Sequence, residues 1–174
     1  MKQDLKYESR GQDFIRFVLI RLKDNKSVAA ALRRADNAST EDQSWEYMAA
    51  FGVDLEKSSD RASFGLIAAA IAKAKISDDG AYGIGQAIAG CYKEGNRSDQ
   101  AKAKLRRLLA CDTTDEACAV LRPLLQLINA KSVRSLKFSR LLDDLLKFQW
   151  DSSKIKARWA SDFYGNPIEK EGKS

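Results

Sequence analysis

Histidine is absent from the 174 residues of this chain. With it go the usual general base, the Ser–His and Cys–His nucleophile pairs and the commonest metal ligand. Cysteine is scarce. Cys91, Cys111 and Cys118 show no CxxC spacing, and three is an odd number. This excludes a disulfide framework and reads all three as reduced core or boundary residues of a cytoplasmic protein. Long apolar runs are missing too. FIRFVLI is broken by Arg16 and far shorter than the roughly twenty residues of a membrane span, and MKQDLKYESRGQDF has no signal-peptide run, so no membrane partner is expected.

Carboxylate chemistry is equally sparse. Asp143 and Asp144 are the only adjacent aspartates inside a helical pattern. Neighbouring helical side chains point about 100° apart, so the two cannot share one metal or one proton, and they read as ordinary helix-surface acids. The GxGxxxG spacing of Gly83, Gly85 and Gly90 is not a dinucleotide fingerprint, because the third glycine is misplaced and no strand precedes it. Its small residues read instead as a place where two helices approach closely. No enzyme activity, catalytic residue, metal, cofactor or small-molecule substrate is expected.

What is present is helical. Only two prolines and ten glycines interrupt a chain that is 44% hydrophobic and 31% charged, and no segment alternates as a strand does. The reading is an all-α helical bundle of two packed halves: residues 1–96, a four-helix C-terminal half over 97–166, and a disordered tail over 167–174. In the first half, helices are predicted over about 12–23, over SVAAALRRA with Ser27 as cap, over SWEYMAAF up to Gly52, over 60–75 and in YGIGQAIAGCYK. Ser98 caps the first helix of the second half, and Thr113 with Glu116 forms a capping box for the next. Pro123 predicts a kink or break there. Two more helices follow, from Lys137 or Phe138 to Trp150 and from Ser152 to Tyr164, with Trp150, Trp159, Phe163 and Tyr164 packing between them.

Charge is unevenly spread around a net +6. Between residues 36 and 60 seven acids are opposed by Lys57 alone, a solvated surface or a docking face for a basic partner. Cations gather elsewhere. Arg33 and Arg34 come near the end of the second helix. Arg97, Lys102, Arg106 and Arg107 lie on or before the first helix of the second half, with Lys102 and Arg106 sharing a face. Arg122, Lys131, Arg134, Lys137 and Arg140 come later, with Lys154, Lys156 and Arg158 beyond. Several cations on one surface bind backbone phosphate, because each contact releases condensed counterions and affinity accumulates.

The order and spacing of these segments resemble the CasB family, the small subunit of the type I-E CRISPR Cascade surveillance complex. The resemblance runs from about Phe14 to Tyr164 through SVAAALRRA, GIGQAIAG, KLRRLLACDTTDEACAVLRPLLQLI and KARWASDFY. It implies a non-catalytic subunit, present in two copies beside other Cascade subunits, that offers cations to crRNA and target DNA in antiviral defence. Arg33 and Arg34 match the family's early basic pair, and Arg106, Arg107 and Arg122 its later basic positions. Gln86 departs from the pattern, standing where the family often has a basic residue. Two other readings stay open on the residues alone: a free-standing helical nucleic-acid-binding regulator, and a helical adaptor with protein contacts only.

Overall fold

A computed structural model describes residues 8–165; the expected tail lies outside them. Within that range the chain forms α1 (Arg10–Leu22), α2 (Lys26–Leu32), α3 (Trp45–Phe51), α4 (Ser58–Ala74), α5 (Ile84–Ala89), α6 (Asp99–Leu109), α7 (Thr114–Lys131) and α8 (Phe138–Tyr164). Short 3-10 turns precede α3 and α6, and no strand occurs among the described residues. The fold is all-α, as the pattern predicts.

Local capping chemistry sets most of the helix starts. Ser98 Oγ accepts from Ala101 N, and Thr113 and Glu116 satisfy each other's backbone amides reciprocally. The α2 cap differs from expectation. Asn25, not Ser27, accepts from Val28 N, so α2 begins two residues earlier than SVAAALRRA implies. Gly52, in the left-handed region at φ 97°, ends α3.

Pro123 does not divide α7, which runs without interruption through it. Proline deletes the bond to the Ala119 carbonyl, but Ala119 and Pro123 both face solvent, where water can satisfy the freed group. The real interruption is Asp151, with φ −123° and ψ 25° inside α8. Its two arms, 138–150 and 152–164, fold back on one another. Arg140 and Asp162 approach to 3.2 Å, and the Phe148 and Trp159 rings stack with centroids 5.7 Å apart. In an unbroken helix a separation of 22 residues would span about 33 Å. The α8 hairpin therefore supplies the last two helices expected from sequence.

α1 and α5 pack on this hairpin, and α4 packs on α7 and α8. Phe14, Phe64, Ile67, Leu105, Leu121, Leu142 and Trp159 belong to one continuous apolar core. Close approach of α5 depends on Gly85. A Cβ there would lie 2.6 Å from Phe163 N and nearer still to Trp159 O, both backbone atoms. Of the four late aromatics, Trp159 and Phe163 are buried, whereas Trp150 is 69% and Tyr164 49% exposed. The exposed pair sits at the hairpin turn and at its far end, where little opposes them.

Two carboxylates act as caps from a distance. Asp79, in the α4–α5 loop, accepts from Phe138 N (2.6 Å), Ser139 N (3.3 Å) and Ser139 Oγ, at the start of α8. Asp143, on α8, accepts from Gly11 N in the first turn of α1 at 2.8 Å. Asp144 is not the ordinary surface acid expected. It is 4% exposed and takes hydrogen bonds from Trp159 Nε1 (2.8 Å) and Arg158. Burial pushes its carboxyl above the ordinary aspartate range, opposed by the Trp159 bond and by Arg158.

Candidate nucleic-acid interface

The cations of α6 are set by one buried stripe. Ala101, Leu105 and Leu108 face the core, which leaves Lys102 and Arg106 along one flank and Lys104 and Arg107 along the other. Arg106 and Arg107 are exposed and have no carboxylate within ion-pair distance among the described residues. Arg97 is exposed in the turn before α6.

Other predicted cations already have partners. Asp36 holds Lys73 at 2.9 Å and Arg122 at 3.9 Å. Arg140 pairs with Asp162 inside the hairpin. Arg34 donates to Gln43 Oε1 at 2.8 Å. Arg33 is exposed and lines a groove of about 510 Å³ with Lys23 and Lys75. That groove lies where α1, α2 and α4 end, so their negative carbonyl ends account for three cations meeting there.

A tighter group forms where two loops meet. Tyr82 N donates to Ser135 O at 3.0 Å, Lys137 N donates to Tyr82 O at 2.8 Å, and Val133 N donates to Gly90 O at 3.1 Å. Ser132 Oγ donates to Ala87 O (2.8 Å) and accepts from Arg134 N (3.2 Å), fixing the loop on α5. Lys131, Arg134 and Lys137 thus share one stitched junction, with the Arg134 guanidinium 5.8 Å from the centroid of the Tyr82 ring. Neither Lys131 nor Lys137 has an ion-pair partner among the described residues.

Gln86 has a local task. Its Oε1 accepts from Gly83 N at 3.1 Å and closes the first turn of α5. Tyr82 stands outside α5, in a YGIGQ segment whose sequence pattern is dominated by its glycines. In the sequence it is an aromatic residue just before a helix start, outside any apolar period.

Among the described residues, no group of three or more His, Cys, Asp or Glu side chains can hold a metal ion. No described helix is long and apolar enough to cross a membrane. Burial raises all three thiols, and Cys118 is pushed up to about 12.

Fold and surface together define a class: a small all-α bundle whose described surface carries exposed cations. The sequence matches the family CRISPR-associated protein Cse2 over residues 28–164, and the chain belongs to that family, the CasB subunits of type I-E Cascade. Solved structures agree. A CRISPR-associated protein of the Cse2 family from Thermus thermophilus is 26% identical, with TM-score 0.72 over 91% of this chain and 99% of that one. A structure of CasB from Thermus thermophilus is also 26% identical, with TM-score 0.70 over the same shares. M. ruber CasB, at 23% identity and TM-score 0.70 over 91% and 94%, shares the fold. No curated protein matches the sequence.

Proposed function

We propose that this protein is a non-catalytic small subunit of a type I-E Cascade ribonucleoprotein in antiviral defence. It stabilises the crRNA-guided complex and the open R-loop by contacts to backbone phosphate, beside other Cascade subunits and a second copy of itself. The observation that carries this reading is a set of exposed cations with no carboxylate to neutralise them among the described residues, Arg97, Arg106, Arg107 and Lys131 included, on a chain of the Cse2 family.

The physical logic is simple. Unwound DNA reanneals unless its displaced strand is held away. Several weak phosphate contacts lower the free energy of the open state, while base pairing with the guide supplies the sequence reading. No base code is then required of the protein. Arg106 and Arg107 point about 100° apart and so reach different phosphates or different strands.

Changing Arg106 and Arg107 together to Ala tests it in the assembled complex. The expected result is weaker target-DNA binding, with a salt slope shallower by roughly 0.7 for each single-strand phosphate no longer neutralised. Unchanged affinity across salt concentrations refutes the assignment of these two cations. A helical adaptor with protein contacts only is the second reading, favoured by the exposure of Ile20 (66%) and Trp150. Assembly that is complete and salt-independent without nucleic acid favours that alternative.

A further inference from the structure

We infer that Tyr82, beneath the guanidinium of Arg134 at the junction of the 80–83 and 132–137 segments, is a stacking platform for an unpaired nucleobase. The inference rests on the phosphate-contact reading above and adds a base contact to it, which makes the ligand of this face single-stranded.

Three observations carry it. Tyr82 is 37% exposed, yet its backbone is bonded on both sides, through its N–H to Ser135 O and through its carbonyl to Lys137 N. The ring is therefore presented from a fixed frame and loses little freedom when a ligand lands on it. Arg134 is fixed as well, its backbone N–H held by Ser132 Oγ, and its guanidinium lies 5.8 Å from the ring centroid. A planar cation beside an aromatic face offers a base two stacking surfaces and a phosphate two donors. Lys131 and Lys137 flank the pair without ion-pair partners among the described residues, and Val133 beside it is 87% exposed.

The acids nearby do not cancel this charge. Asp79 is committed to the first amides of α8, and Asp162 to Arg140. Asp78, which accepts from Ser77 Oγ at 3.2 Å, lines cavities with Arg134 and with Lys137, and Glu8, which lines the second of these, is paired with Arg16. Against the Asp78 and Asp79 carboxylates stand three cations, which leaves a net positive charge and favours a polyanion over a basic partner. Every base has a π-face, so stacking tolerates any sequence, in keeping with a subunit that leaves reading to the guide. Paired bases in a duplex are already stacked and cannot reach the ring.

Fluorescence anisotropy of the full chain at low salt tests this with a labelled thymidine oligomer, a base-free oligomer of equal length and a duplex. The expected result has the thymidine oligomer binding more tightly than its base-free counterpart. Tyr82→Ala then lowers its affinity about tenfold and removes that advantage, leaves duplex affinity unchanged, and Tyr82→Phe behaves as the parent. Equal affinity for base-bearing and base-free strands, with Tyr82→Ala silent, overturns the platform while the phosphate reading stands. No measurable binding of any oligomer overturns both.

Discussion

Trp159 donates its indole N–H to Asp144 at 2.8 Å, closing the α8 hairpin across its turn at Asp151. Both groups are buried. The bond gives the indole donor an acceptor and the carboxylate a donor, so neither is left unsatisfied in the core.

Replacing Trp159 separates packing from hydrogen bonding. Trp159→Ala is expected to cost about 3–5 kcal/mol, since it empties a large core site and removes the stack on Phe148. Trp159→Phe keeps a ring but leaves Asp144 short of a donor, at a cost of about 1–3 kcal/mol. Chemical denaturation of both variants gives the two values, and equal losses would show that the ring packing contributes little beyond the hydrogen bond.

Asp144 also makes a pH prediction. Its folded carboxyl titrates above the unfolded value because burial disfavours the charge. Between those two values the folded state holds more protons than the unfolded one, so this group lowers stability as pH rises through the window. Asp144→Asn removes the titration and should gain stability relative to the parent as pH rises through it. Melting temperatures of both proteins across the acid range measure the difference. A difference that is flat with pH, or that moves the other way, rules this out.

Gly85→Ala drives a methyl group into backbone atoms of Trp159 and Phe163, which cannot rotate away as a side-chain tip would. A loss of roughly 1–3 kcal/mol is expected. An unchanged denaturation midpoint would mean that α5 can lift from the hairpin at no cost.

Cys118 should be chemically silent while the protein is folded. With its thiol pushed up to about 12, the reactive thiolate is vanishingly rare at neutral pH, and the side chain is buried. Labelling with a thiol reagent under native conditions should modify the half-buried Cys91 first and spare Cys118, with all three reacting in denaturant. Rapid native modification of Cys118 would reveal an opening of the α4–α7 contact.

What the sequence discloses is what the chain settles locally. Ser98, Thr113 and Glu116 cap helices within four residues of themselves, and each is readable from spacing alone. The two arms of α8 and their break near residue 151 are readable for the same reason. Asn25 displaced Ser27 as a cap because both residues are good acceptors and two positions separate them. Burial of Asp144 was not readable, since it depends on Trp159 returning across a hairpin. Trp150 and Trp159 look alike in sequence, yet one lies at the turn and the other between packed arms. At the candidate interface the identity of the cations was legible. Which of them already have carboxylates, as Arg122 and Arg140 do, depends on contacts distant in the chain.

The two distant caps bear on how the molecule is held closed. Gly11, in α1, gives its amide to a carboxylate 132 residues further on, and the α8 hairpin gives its first amides to Asp79, some 60 residues behind. Without the docked α8 hairpin the Gly11 amide lacks its acceptor, although Ser9 and Gln12 cap the start of α1 locally, and the Asp79 carboxylate has no helix to cap. The α8 hairpin acts as a clasp, joined at one end to the α4–α5 loop and along its first arm to the start of α1.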